Sequence, residues 1–418
     1  MIRKKLIVVG GGAAGFFCAI NAAQKNPELD VIILEKSNKI LCKVRISGGG
    51  RCNVTHACFS ISEMIINYPR GSKFLKQAFH HFFTKDTIEW FEKRHVKLKT
   101  ESDGRMFPES NSSGAVINCL LREAGKLKVQ IMMNREVTNV EIIESCSTKR
   151  TFRLILKDQS IEESDLLCIA CGGYPKADQY NWLSALGHSF EKPVPSLFTF
   201  NVPEDSITEL MGISVENVQI KINEIKLARS GPLLITHWGF SGPAVLKLSA
   251  FAAKNLADMK YDFTISINWL GDYNENSLQE KFRSLRNEYA AKKIPNRNPF
   301  NLPQRLWQYH LRSSGIGESL RWADLPSKQQ NILIRQLCSQ KFEVKGKTTF
   351  KEEFVTAGGI KLNEVDANTM SSKIVPHLFF AGEILDVDGI TGGFNFQHAW
   401  TSGWIAANGI SNIFQGQK

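Results

Sequence analysis

The chain has 418 residues, 43% of them hydrophobic, enough for one large domain and a second unit, and none of its apolar stretches reaches the roughly 18 residues that span a membrane. Its 52 Lys and Arg against 41 Asp and Glu give a net charge of +11, which favours anionic partners in general. No basic run exceeds three residues and basic side chains alternate with acidic ones, as over 89–94 and 280–293, so the excess reads as a solvated face around an anionic cofactor, with nucleic acid the minority expectation. Nine cysteines, odd in number and without paired metal-ligand spacings, point to reduced thiols, a cytoplasmic setting and no metal site.

Lys5–Val9 is an apolar run of strand length that enters Gly10-Gly11-Gly12-Ala13-Ala14-Gly15. A helix with the apolar face Phe16, Ala19, Ile20 and Ala23 follows, then a second strand over Val31–Leu34 that ends at Glu35. This is the order of a dinucleotide site. Gly10 permits the tight turn, Gly12 lets a pyrophosphate reach the helix N–H groups beside Ala13 and Ala14, and Gly15 lets helix and strand pack closely. Glu35, about 20 residues on, is the expected ribose acceptor. The basic start Met1–Lys5 imitates a leader peptide, but three glycines break the apolar run, so none is expected.

The next segment, Lys43-Val44-Arg45-Ile46-Ser47-Gly48-Gly49-Gly50-Arg51-Cys52-Asn53, combines backbone N–H groups with positive charge and suits a phosphate or a flavin edge. Helical spacing recurs over Phe74–Phe82 and Ile88–Phe91, Ser102–Arg105 reads as a hairpin turn, and Ser113 is the expected cap of a helix through Leu121. Strands are expected at Val129–Met133, Val137–Ile143, Phe152–Leu156 and Leu166–Ala170, as a meander laid on the parallel sheet; the last of these makes Cys168 and Cys171 a buried strand end. Prolines 193, 195 and 203 then mark a boundary. Alternating strands at Leu197–Val202, Val218–Ile225 and Phe263–Trp269 predict a β-barrel or sandwich, followed by helical spacing from 276 to 340.

Near the C-terminus Leu378-Phe379-Phe380-Ala381 ends in Gly382 and Glu383, and Asp386–Gln397 is glycine-rich. A carboxylate there suits the ribityl or pyrophosphate side of a flavin dinucleotide, with the following helix aimed at the flavin N1–C2=O edge. Two anchors so far apart imply an extended cofactor, FAD. No second G-x-G-x-x-G follows a strand, so NAD(P)H, as electron donor, would visit transiently.

These blocks, with Gly104–Pro108, Thr236–Pro243 and Val355–Gly359, resemble the bacterial FAD-dependent oxidoreductases known as aminoacetone-oxidase-like proteins or BaiN-type reductases of bile-acid enones. The resemblance implies an α/β fold, a Rossmann-type, glutathione-reductase-like FAD-binding domain with an inserted β-barrel domain carrying a small helical subdomain. The expected division is 1–190, 191–352 (helices at about 272–340) and 353–418. Expected FAD contacts extend to Lys36, Lys43, Ser47, Gly49, Gly50, Arg51, Cys52, Asn53, Val137, Gly172, Gly382, Glu383, Gly393, Asn395 and Phe396. Cys171 stands where the family usually has threonine, and His398 where it commonly has tryptophan.

The leading expectation is an oxidoreductase of a small molecule, reducing an enone or oxidising an amine. A flavin-dependent RNA-modifying enzyme and a redox-responsive flavoprotein with little turnover are the alternatives. For an enone, hydride passes to the β-carbon while a polar group steadies the enolate. His237, beside the Gly-Phe-Ser-Gly-Pro turn, is the candidate, with a structural role in that turn the competing reading; Arg105, Tyr174, His398 and Asp388 are weaker candidates.

Overall fold

The computed structural model describes residues 3–144, 150–349 and 355–415. The chain divides into two compact units, Met1–Ser196 with Phe350–Lys418, and Leu197–Thr349. The expected boundary at 352/353 and Cys146 lie outside the described residues.

In the first unit, β1 (Lys5–Val9), β2 (Asp30–Leu34), β3 (Gln130–Met132), β4 (Leu166–Ile169) and β5 (Leu378–Phe380) form a sheet in the order β5-β4-β1-β2-β3. All neighbours are parallel, with Ile7 beside both Ile32 and Leu167. Leu6, Ile7, Val8 and Ile33 are fully buried, as continuous apolar strands covered on both faces must be. The helices α1 (Ala13–Lys25) and α2 (Phe394–Gln415) pack together. They approach so closely at Gly403 that a Cβ there would stand 2.7 Å from the Ala14 carbonyl oxygen. Strand order reverses between β1 and β4, and the crevice at such a switch point is where open α/β sheets bind ligands.

The four-strand meander is smaller than expected. Only Val137–Glu144, Arg150–Leu156 and Ile161–Ser164 belong to it, because the stretches near 130 and 166 pair with β2 and β1 instead. The helix after Gly104 runs from Ser113 to Lys126, and its cap is Ser112, whose hydroxyl accepts from Gly114 N. Phe190–Ser196 pairs antiparallel with Val355–Ile360, so Ser196 and Val355 stand side by side where the chain leaves and re-enters this unit.

The second unit has a seven-stranded antiparallel sheet: Gln340–Lys345, Asp262–Asn268, Ser214–Ile222, Leu227–Thr236, Gly239–Ser241, Thr199–Asn201, Lys347–Thr348. Its first and last strands are separated in the chain by Gly346 alone, so the sheet curls on itself as a barrel. Pro243–Asp258 seals its core with Ala244, Val245 and Leu248. The helices Glu275–Glu288, Gln304–Ser313 and Ser327–Ser339 form the lobe expected over 276–340.

Candidate functional site

The site is assembled at the carboxyl ends of β1, β4 and β5, in the first unit. Gly10 has φ of +116°, and a Cβ there would collide with the Ala170 carbonyl at the end of β4, so only glycine joins the two strand ends this closely. Its N–H donates to Leu34 O at 2.8 Å. α1 then begins at Ala13 with Gly12 as its cap, without a capping side chain or an acidic residue in the first turn. An uncapped, uncharged N-terminus leaves its N–H groups and positive pole open to an anion.

The residues fit an extended dinucleotide on geometric grounds. A Cβ placed on Gly12, Gly49, Gly50 or Gly172 would meet no described protein atom within 4 Å, and so these four glycines border open space. Gly48, Gly49 and Gly50 all have positive φ, which breaks the short helix Cys42–Gly50 after Ser47 and exposes its backbone. Gly382 brings the second anchor to the first: a Cβ on it would lie 2.7 Å from Ala14 Cβ, at the start of α1.

Charged candidates are tethered rather than free. Glu35 accepts from Gly11 N at 2.8 Å and from the Ser37 amide and hydroxyl at 2.9 Å, which leaves lone-pair capacity for a ribose hydroxyl. Lys36 lies over the Tyr174 ring at 5.7 Å. Lys43 Nζ pairs with Glu383 Oε2 at 2.5 Å, while Glu383 Oε1 accepts from Thr356 N at 2.9 Å. The pair links the glycine-rich segment directly to the end of β5. Arg51 donates to Glu101 at 2.6 Å and lies 4.0 Å over the Phe107 ring.

Other candidates turn inward. Ser47 Oγ donates to Val44 O at 3.2 Å. Cys52 is fully buried and burial pushes its thiol up to about 12, so any contact it offers comes from its backbone. Val137 is buried in the first strand of the meander. Asn53, with its amide oriented to suit its neighbours, donates to Thr55 O at 3.0 Å and accepts from Gly393 N at 2.9 Å. Asn395 holds Gly389 through both its amide atoms, at 2.8 and 2.9 Å. Phe396 stacks on Trp400 at 5.8 Å between ring centres.

The sequence reading missed a clasp between residues 53–70 and 386–400. His56 Nδ1 lies 3.0 Å from Gly392 O, with its ring stacked on Phe394 at 4.7 Å. Tyr68 Oη donates to Phe394 O at 2.7 Å, and Trp400 Nε1 to Val54 O at 2.9 Å. Arg70 grips Asp388 with two N–H groups, and Ser196 Oγ donates to the same carboxylate at 2.8 Å. Burial pushes the Asp388 carboxyl above its usual range, with Arg70 opposing. His398 is buried and neutral, its pKa lowered by burial to about 4, with Nε2 against Gly382 O at 3.1 Å. Arg105 is held by its own hairpin, through Asp103 at 2.7 Å and Glu101 at 3.1 Å.

His237 belongs to the second unit. It is exposed at the Thr236–Gly239 turn and meets Trp238 edge-on at 4.5 Å. That turn is closed by Thr236 Oγ1 donating to Gly239 O at 3.1 Å. Among the described residues no group of three or more His, Cys, Asp or Glu is arranged to hold a metal, and no helix is long and apolar enough to cross a membrane.

The family described as HI0933-like protein Rossmann domain matches residues 4–409. A protein of Escherichia coli (strain K12) named ribosomal RNA dihydrouridine synthase is 29% identical over 98% of both chains. One of Clostridium scindens named 3-dehydro-bile acid delta(4,6)-reductase is 27% identical over 96% of this chain and 98% of its own. The solved 3-ketosteroid delta1-dehydrogenase of Sterolibacterium denitrificans shares the fold with a TM-score of 0.51 at 12% identity, over 98% of this chain and 100% of that one.

Proposed function

We propose a reaction for this chain from one premise: it belongs to the HI0933-like family of Rossmann proteins and is an FAD-dependent oxidoreductase. The reaction is addition of hydrogen across a C=C bond conjugated to a carbonyl, with electrons from a transiently bound NAD(P)H. What carries this reading is a shared chemistry in relatives aligned over nearly their whole length. A bile-acid delta(4,6)-reductase saturates ring C=C bonds next to a ketone, and making dihydrouridine saturates the uracil C=C bond conjugated to a ring carbonyl. Neither name describes an amine oxidation, so that half of the expectation is not carried forward.

When bound, FAD would supply the hydride that the β-carbon accepts, and the resulting enolate takes its α-carbon proton from water, which completes the gain of two hydrogens. The protein's part is to bind, orient and stabilise charge. Gly12, Gly49, Gly50 and Gly172 would give the cofactor room, Glu35 would hold its adenosine ribose and the Lys43–Glu383 pair its ribityl side, and α2 begins at Phe394 without an acidic residue in its first turn, so its positive pole favours negative charge nearby. His237 is the proposed group that steadies the enolate.

A second reading places the reduced ring in RNA. It is supported by the name of the Escherichia coli relative and by the charge of +11. The test is product analysis after incubating the holoprotein with NADPH and either a steroid 4-en-3-one or ribosomal RNA. Gain of two hydrogens in the steroid supports the first reading, and gain in uridine the second. No gain in either while an amine is oxidised defeats the proposal.

A further inference from the structure

The positive surplus is concentrated, contrary to the scattered distribution expected from the sequence. Residues 275–339, the helical lobe, carry eleven Lys and Arg against five Asp and Glu, whereas the rest of the second unit carries nine of each. Backbone pairing gathers part of this surplus at one end of the lobe. Lys293 and Arg321 form an antiparallel bridge, Trp322 N donates to Lys292 O at 3.0 Å, and Ile294 N to Leu320 O at 2.9 Å. Arg297 reaches Tyr289 Oη at 3.3 Å in the same stretch. Lys292, Lys293, Arg297 and Arg321 are exposed, and none of them forms an ion pair among the described residues.

Like charges set directly opposite each other are destabilising, yet Lys293 and Arg321 are paired across the bridge and neither forms an ion pair among the described residues. A polyanion would relieve that repulsion. The lobe contributes none of the large exposed hydrophobic side chains of the described chain, and a protein interface or an inserting membrane surface draws on such groups. A nucleic-acid backbone needs only the charge.

We propose that Lys292, Lys293, Arg297 and Arg321 form a docking surface for the phosphate backbone of RNA. The surface positions the RNA without reading its sequence. The inference rests on the second reading above, in which the reduced ring is carried by RNA.

The test measures binding of a labelled stem–loop RNA to the holoprotein across a salt series, for the native chain and for a Lys292→Ser, Lys293→Ser, Arg321→Ser variant. All three side chains are exposed, and an unchanged urea midpoint with the native far-ultraviolet circular dichroism reports folding of the lobe. With each lost phosphate contact lowering the salt slope by roughly 0.7 to 0.9, the variant should lose about two to three from the slope and at least about tenfold in affinity at moderate salt. Lys221→Ser with Lys226→Ser, on the barrel, should bind as the native chain does. Unchanged affinity and slope in the triple variant, no binding by the native chain, or binding of polyglutamate or anionic vesicles in preference to RNA would each overturn the proposal. Uridine reduction is read in parallel. RNA held through these residues but never reduced sinks the second reading and leaves the surface standing, while RNA reduced equally well by the triple variant does the reverse.

Discussion

Gly12 and Gly15 lie one turn apart and respond to substitution in opposite ways. A side chain on Gly12 points into open space, and one on Gly15 would collide with the Gly10 carbonyl. Gly12→Val should therefore fold with an unchanged urea midpoint yet retain little FAD on purification. Gly15→Val should lose more stability than the about 1–3 kcal/mol typical of overpacking, and full flavin content in Gly12→Val would refute the cofactor's placement. His310 is buried, neither ring nitrogen has a partner among the described residues, and burial lowers its pKa to about 3. An unfolded histidine titrates near 6.5, so between those values the unfolded chain binds the extra proton. Stability is held above that window and falls as pH drops through it. His398, lowered to about 4, and His188, also lowered by burial, act in the same direction. His310→Leu removes two orphaned polar atoms, and urea titrations should show a gain of about 1–2 kcal/mol at pH 7 with a shallower acid slope. A loss of stability at pH 7 would show that the ring has a partner.

The unit of organisation at the next scale is the clasp that ties residues 53–70 to the loop entering α2. Asp388 is fully buried within it, and removing one partner of a buried ion pair costs about 3–5 kcal/mol. Asp388→Ala should lower the urea midpoint accordingly and speed FAD release. Normal stability with normal FAD retention would show that Arg70 and Asp388 hold nothing together. Elements whose signal is local were legible in the sequence: the glycine turn between two apolar strands, the Gly104 hairpin, the helical lobe. The clasp was not, because His56, Tyr68 and Arg70 find their partners 318 to 336 residues away and carry no motif of their own. The meander was overcounted for a related reason. A short apolar strand looks the same whether it pairs with its neighbour or enters the parallel sheet beside a distant partner, as β3 and β4 do.

For the whole molecule, both proposed cofactor anchors lie in the first unit and Ser196 pairs with Val355. A short linker joining those two residues should give a soluble protein that still binds FAD but no longer performs the reaction proposed for His237. A folded but flavin-free product would show that the second unit helps hold the cofactor. Anaerobic stopped-flow absorbance at the flavin band reads the saturation of a conjugated C=C bond. After reduction by NADPH, mixing with an enone steroid or a uridine-containing RNA should restore the oxidised spectrum at a rate that rises with acceptor concentration, and His237→Ala should slow this step more than the reduction by NADPH. A flavin that stays reduced with both acceptors, while an amine bleaches the oxidised form, would show that the protein does not reduce conjugated C=C bonds.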